Sequence, residues 1–138
     1  MAQTRPVDLS SPPIDIRRVV KDDHGRILAL FHLYLGSPPD SRQAIADEIL
    51  HQLASHLEKE EFLYQEIRRL GPPGWKLVGD AELEHEEIKT MILELQQSEG
   101  DDDQAWDEFF EDMMQSVRAL FVTEARDLLP LVDRSLDA

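Results

Sequence analysis

The 138-residue sequence predicts an all-α fold, an antiparallel up-down-up-down bundle of four helices. Three observations support this prediction. Apolar residues recur at steps of three and four along four segments, which is the period of an amphipathic helix. Breaks rich in proline, glycine or acidic residues separate these segments, at 36–40, 71–74 and 98–103. The alternation typical of strands is absent, and short breaks favour antiparallel neighbouring helices.

The four helices are predicted in order from their periodic segments. The first runs from about Ile14 to Leu35 and the second from about Ser41 to Leu70. The third begins near Asp80, a residue type that often caps a helix. The fourth begins around the acidic run 101–103, because negative charge suits the positive end of a helix dipole.

A chain of this length is most simply one domain with one hydrophobic core. The bundle is assigned to residues 14–132. Residues 1–13 are predicted to be a flexible N-terminal segment and residues 133–138 a C-terminal tail, because neither continues the helical pattern.

The charge and the missing cysteines exclude several classes of function. A formal net charge of −15 would repel nucleic acid and anionic membranes, so neither is expected as a partner. With no cysteine there is no disulfide and no thiolate metal site. The first residues lack the apolar run of a signal peptide, and the longest apolar stretch is shorter than the roughly 20 residues that span a bilayer. We therefore expect a cytoplasmic protein.

Polar residues interrupt the apolar stripe of every predicted helix. They are His24 on the first helix, His56 and Glu60 on the second, His85 on the third and Glu124 on the fourth. His32 and His51 fall off the stripes and are predicted to lie on the surface.

These polar positions are predicted to lie at one level of the bundle, because residues equidistant from a turn are neighbours in an antiparallel hairpin. The midpoint of positions 24 and 56 is 40, at the end of the first break, and that of 60 and 85 is about 72, in the second. The midpoint of 85 and 120 is about 102, in the third.

Three buried imidazoles and two buried carboxylates would be costly without partners, at several kcal/mol for each unpaired ion. A bound cation supplies the partner. Nitrogen and oxygen ligands without sulfur suit iron, manganese or zinc. His56 and Glu60 lie about 6 Å apart along one helix face, so they can reach one metal or bridge two.

A single histidine on a helix stripe is more often a core or boundary residue than a ligand, and only the five residues together favour a metal site. Tyr64, one turn after Glu60, is interpreted as boundary packing, with support of a ligand as the alternative.

Four sequence motifs resemble those of the hemerythrin-like domains of the HHE cation-binding type. They are VVKDDHGRI around His24, HLEKEEFLY with His56 and Glu60, AELEHEEIKTMILEL with His85, and TEARDLLP with Glu124. The resemblance spans about residues 14–130. It implies a non-haem di-iron centre with bridging carboxylates, terminal histidines and an oxo or hydroxo bridge. It also implies oxygen binding, sensing of oxygen, nitric oxide or redox state, iron handling or peroxide chemistry.

Two features depart from the family's pattern. The family's fourth helix usually repeats H-x-x-x-E, but the position four before Glu124 is Leu120. The third helix offers only His85, with Ala81 and Lys89 one turn to either side. By the resemblance, His24 and His56 would serve one iron, and the second would be short of ligands.

Three outcomes stay open: an incomplete di-iron site, a single metal held mainly by His24, His56 and carboxylates, or a bundle that has lost its metal. The first hypothesis is an iron protein that binds or senses O2, peroxide or NO. The rival is a metal-poor bundle acting as a regulatory or protein-interaction domain. Turnover, and pairing with a protein partner or a second copy, stay open.

Overall fold

The computed structural model describes residues 15–98 and 103–137. Within these ranges the chain is helical and has no strand, and each helix packs against its neighbours, so the predicted all-α four-helix bundle is confirmed. The elements are α1 (Ile16–Gly36), α2 (Pro39–Arg68), α3 (Pro72–Gln97), α4 (Asp103–Thr123), a π-helical turn (Glu124–Leu128) and α5 (Leu129–Asp137). The predicted flexible segment 1–13 lies outside the described residues.

Prolines begin two of the helices. Pro39 is the first residue of α2 and Pro72 the first of α3, where a missing N–H costs nothing. The predicted start of the third helix near Asp80 is therefore wrong. The break between α2 and α3 reduces to a short turn at Gly71, whose φ of +105° suits glycine.

Helices α2 and α3 approach closely just after this turn, at Gly74. A Cβ atom there would lie 2.8 Å from Cγ2 of Ile67 and 3.2 Å from the Ile67 carbonyl oxygen. Gly74 is buried in this contact. Because it has no side chain, the two helices can approach more closely here than any other residue would allow.

The four apolar stripes meet in one core along the bundle axis. The largest fully buried side chains are Tyr34, Tyr64, Phe31, Phe110, Ile27, Ile49, Leu53, Leu63, Ile67, Ile88, Met113 and Met114. Consecutive helices pack extensively, whereas α1 packs much less against α4 than against α2. None of the helices in the described ranges combines the length and apolar content that a membrane span requires.

A π-helical turn changes the register of the last helix. The N–H of Leu129 donates to the carbonyl of Glu124, five residues earlier. In a regular α-helix, the ring of Pro130 would clash with the carbonyl of Arg126, and the wider turn accommodates it. Both Glu124 and Leu128 are buried.

The chain stays helical beyond this turn. Helix α5 runs to Asp137, through most of the segment predicted as a C-terminal tail from residue 133. Nη1 of Arg17 lies 2.6 Å from Oδ1 of Asp133, so an ion pair joins α5 to the start of α1.

We predict opposite effects of alanine at two glycines of α3. Gly74→Ala places a methyl group against Ile67 and should lower the free energy of unfolding by about 1–3 kcal/mol. Gly79→Ala meets no atom within 4 Å and should raise it by about 0.5–1 kcal/mol, because alanine loses less backbone entropy. Urea unfolding measures both, and equal effects would contradict the close approach at Gly74.

Candidate metal centre

Four of the five predicted ligands come together in the bundle interior. His24 on α1, His56 and Glu60 on α2, and Glu124 at the π-helical turn each offer one ligand atom, and these atoms all lie within 4.8 Å of one another. All four residues are buried. His85 is buried as well but does not belong to this group.

Three atoms of this group have no hydrogen-bond partner among the described residues: Nε2 of His24, Oε1 of Glu60 and Oε1 of Glu124. Nε2 of His24 lies 3.1 Å from Oε1 of Glu124, but the two are not aligned for a hydrogen bond. Each unsatisfied buried polar atom costs about 1–3 kcal/mol. A cation among them would satisfy all three, so the residues present fit a metal ion.

Asp23 is a buried member of the site that was not predicted from the sequence. Its Oδ2 lies 3.0 Å from Nδ1 of His56 and 3.0 Å from Nζ of Lys59. Burial alone would raise the pKa of Asp23, but His56 and Lys59 outweigh it and lower the pKa. The spacing could have revealed it, because Val20, Asp23 and Ile27 share one face of α1.

The ionised Asp23 determines which nitrogen of His56 carries a proton. A carboxylate only accepts hydrogen bonds, so Nδ1 of His56 donates to it. Burial lowers the pKa of His56, so the ring is neutral and Nε2 keeps its lone pair. A carboxylate that orients a histidine in this way is typical of metal sites.

The lone pair of His56 Nε2 faces Oε2 of Glu60 at 2.9 Å. Two acceptors at this distance need a proton or a cation between them. Burial raises the pKa of Glu60 well above its usual value, and the neighbouring Glu124 raises it further. In the metal-free protein Glu60 therefore holds this proton, and a metal ion would replace it.

Glu124, in contrast to Glu60, favours its ionised form. Burial would raise its pKa, but the neighbouring Glu60, His24 and Tyr64 side chains lower the pKa. The hydroxyl of Tyr64 donates to Oε2 of Glu124 at 2.5 Å. Tyr64 is 1% exposed, so its interpretation as boundary packing is wrong and it holds a candidate ligand in place. The carboxyl pair is thus asymmetric, with Glu124 ionised and Glu60 protonated.

His85 lies beside the four candidate ligands, but its Nε2 does not point toward them. Nε2 donates to the carbonyl of Leu57 at 3.0 Å and lies 3.9 Å from Oε1 of Glu60. Leu120, one turn before Glu124, is fully buried and contributes no ligand. A second metal would therefore find fewer protein ligands than the first. His32 and His51 are exposed, as predicted.

Phe121 covers one side of the group. Its ring stacks on His24 with centroids 3.7 Å apart and planes at 10°, and its centroid lies 5.3 Å from that of His56 with the planes at 81°. Phe121 is 4% exposed and covers the His24 ring on the side of α4.

We predict that Glu60→Gln stabilises the metal-free protein at alkaline pH. Because folding raises the pKa of Glu60, its stability contribution is present at low pH and is lost as pH rises through the folded pKa. Glutamine mimics the protonated form and removes this loss. The gain in the free energy of unfolding should grow with pH, to about 1–3 kcal/mol.

Urea unfolding between about pH 5 and pH 9 measures this difference. Glu58→Gln is the matched control, since Glu58 is exposed on the same helix. A Glu60→Gln protein that is less stable than the wild type at alkaline pH would contradict the protonated state of Glu60.

The comparisons with known proteins agree with this site. A family model described as the hemerythrin HHE cation binding domain matches residues 15–132. Searches of curated proteins and of solved structures return no significant match. The matched range contains every residue of the candidate site and confirms the resemblance seen in the motifs. The chain therefore belongs to the hemerythrin HHE cation-binding family.

Proposed function

We propose that this protein is a non-haem iron protein that binds or senses a small oxidant, namely O2, peroxide or NO. One observation carries the metal part of the proposal: three buried atoms without hydrogen-bond partners, on His24, Glu60 and Glu124, converge on one place. With His56 they form a set of two nitrogens and two oxygens, which suits iron, manganese or zinc. Membership of the family favours iron.

The surrounding residues prepare the four ligands for a cation. Asp23 orients His56 so that Nε2 points inward with its lone pair. Tyr64 occupies one oxygen of Glu124 and leaves Oε1 without a partner. These contacts orient the ligands before the ion arrives.

We propose that the metal binds a small oxidant because the protein supplies few side chains to coordinate it, which leaves coordination positions open. Iron held by histidine and carboxylate with positions left open can bind and exchange electrons with small molecules such as O2. Phe121 limits access by water.

We propose one firmly held iron and an incomplete second position. The second position would rely on Glu60, Glu124 and His85, and Nε2 of His85 already donates to a backbone carbonyl. Leu120 stands where the family usually has a histidine. This asymmetry predicts a stoichiometry nearer one iron per chain than two.

The first test is metal analysis of protein purified aerobically from iron-supplemented cells. We expect about one iron per chain, and a loss of most of it in Glu60→Gln but not in the exposed control Glu58→Gln. Iron below about a tenth of an equivalent would overturn the proposal. If no other metal were bound either, the rival metal-poor regulatory bundle would be favoured.

The absorption spectrum of the reduced protein then tests the ligand. We expect it to change when NO is added without oxygen, or when O2 or peroxide is added. Manganese or zinc in place of iron would contradict the identity of the metal but not the site. An iron-loaded protein whose spectrum none of the three molecules alters would contradict oxidant binding alone.

We predict that Asp23→Asn lowers iron affinity about 10–100-fold, the usual effect of removing a carboxylate that orients a metal-bound histidine. Competition with a chelator measures the affinity. The neighbouring Asp22→Asn is the matched control and should have little effect, because Asp22 is exposed. Equal affinities of the two variants would contradict the role of Asp23.

A further inference from the structure

A surface groove runs between α1 and α4, which pack much less extensively against each other than consecutive helices do. We call it the α1/α4 groove. Its apolar surface comes from Leu28 on α1 and from Phe121, Val122 and Leu129 on the opposite side. Its volume of about 700 Å³ lies in the range of small-molecule sites.

The groove exposes apolar surface beside the candidate metal centre. Val122 is 59% exposed and Leu28 is 36% exposed. His24 also lines the groove, and Phe121 forms part of its floor while stacking on that ring. An apolar ligand in the groove would therefore pack against the residue that shields the metal centre.

The charges around the groove are the reverse of those of the whole chain. The sequence has 29 acidic and 14 basic residues, yet the groove is lined by Lys21 and Arg118 and by no acidic residue. Four other clefts of the described structure each include an aspartate or glutamate. This groove is thus a basic, apolar site on an acidic protein.

Both cations are available to a ligand. Lys21 and Arg118 are exposed, and neither forms an ion pair with a described residue. The guanidinium of Arg118 lies over the ring of Phe31, 5.7 Å from its centroid, which leaves its N–H groups uncommitted to any carboxylate.

The two cations lie at different levels of the groove. Arg118 is near Phe31, whereas Lys21 is ten positions earlier on α1, about 15 Å along the helix. The apolar residues Leu28 and Val122 lie on opposite sides of the groove, on α1 and α4. A ligand with an extended apolar body and one charged end matches this arrangement.

We propose that the α1/α4 groove binds an organic carboxylate with an extended apolar body, such as a medium-chain fatty acid. The carboxylate pairs with Arg118, whose planar guanidinium can bind it through two hydrogen bonds. The apolar body covers Leu28, Phe121 and Val122. This site needs no metal, so it stands or fails separately from the iron proposal.

The test is calorimetric titration of the full chain, as purified, with sodium octanoate. We expect saturable binding of one octanoate per chain. Octylammonium has the same apolar body with the opposite charge, and acetate has the charge without the body. Each should bind at least about tenfold more weakly, because it lacks one of the two interactions. Equal binding of all three, or no saturable octanoate binding, would overturn the proposal.

Variants locate the site. Arg118→Gln removes the charge and Val122→Asp adds a repelling carboxylate to the groove. Both positions are exposed, so the fold should be kept, and circular dichroism checks this. Each change should weaken octanoate binding about tenfold.

Matched controls lie outside the groove. Arg18→Gln removes an exposed charge from α1, and Leu83→Asp adds a carboxylate at a position that is 73% exposed on α3. Both should bind octanoate like the wild type. Controls that weaken binding as much as the groove variants would show a general effect of charge, and unaffected groove variants would place the ligand elsewhere. Either result would overturn the proposal.

Discussion

The hydrogen bond between Asp23 and His56 is the interaction on which the rest of the site depends. Because the ionised carboxylate can only accept, it determines the protonated nitrogen of His56 and directs the remaining lone pair at Glu60. Glu60 must then either keep a proton or exchange it for a cation. Without Asp23, the ring of His56 could turn or change its tautomer, and the convergence of acceptors in the bundle interior would be lost.

The bundle supports this arrangement by giving the carboxyl groups of Glu60 and Glu124 different protonation states. Glu60 comes from the regular part of α2, where burial favours its neutral form. Glu124 lies at the π-helical turn, where Tyr64 and His24 favour its ionised form. One buried negative charge can be tolerated among such neighbours, whereas two would repel each other. A metal ion bound there would remove that limit, so its binding would be linked to the loss of the Glu60 proton.

Periodicity explains how much of the fold and the site could be predicted. Four stripes at helical spacing yield four helices, and a polar residue on a stripe must be buried wherever the bundle closes. The burial of His24, His56, Glu60, His85 and Glu124 followed from position alone. The start of α3 could not be predicted in this way, because the two prolines after Gly71 can equally end one helix or begin the next.

The sequence by itself determined the number of helices, the level at which their polar residues meet, and the nitrogen and oxygen character of the candidate ligands. Only the tertiary structure decided which side chains share the candidate metal pocket. It turned Nε2 of His85 to the Leu57 carbonyl, brought Asp23 onto His56, and set Tyr64 against Glu124. The physical reason is that helical period determines the face on which a residue lies. The partner of each polar atom depends on side-chain rotation and on atoms from other helices, which the period does not encode.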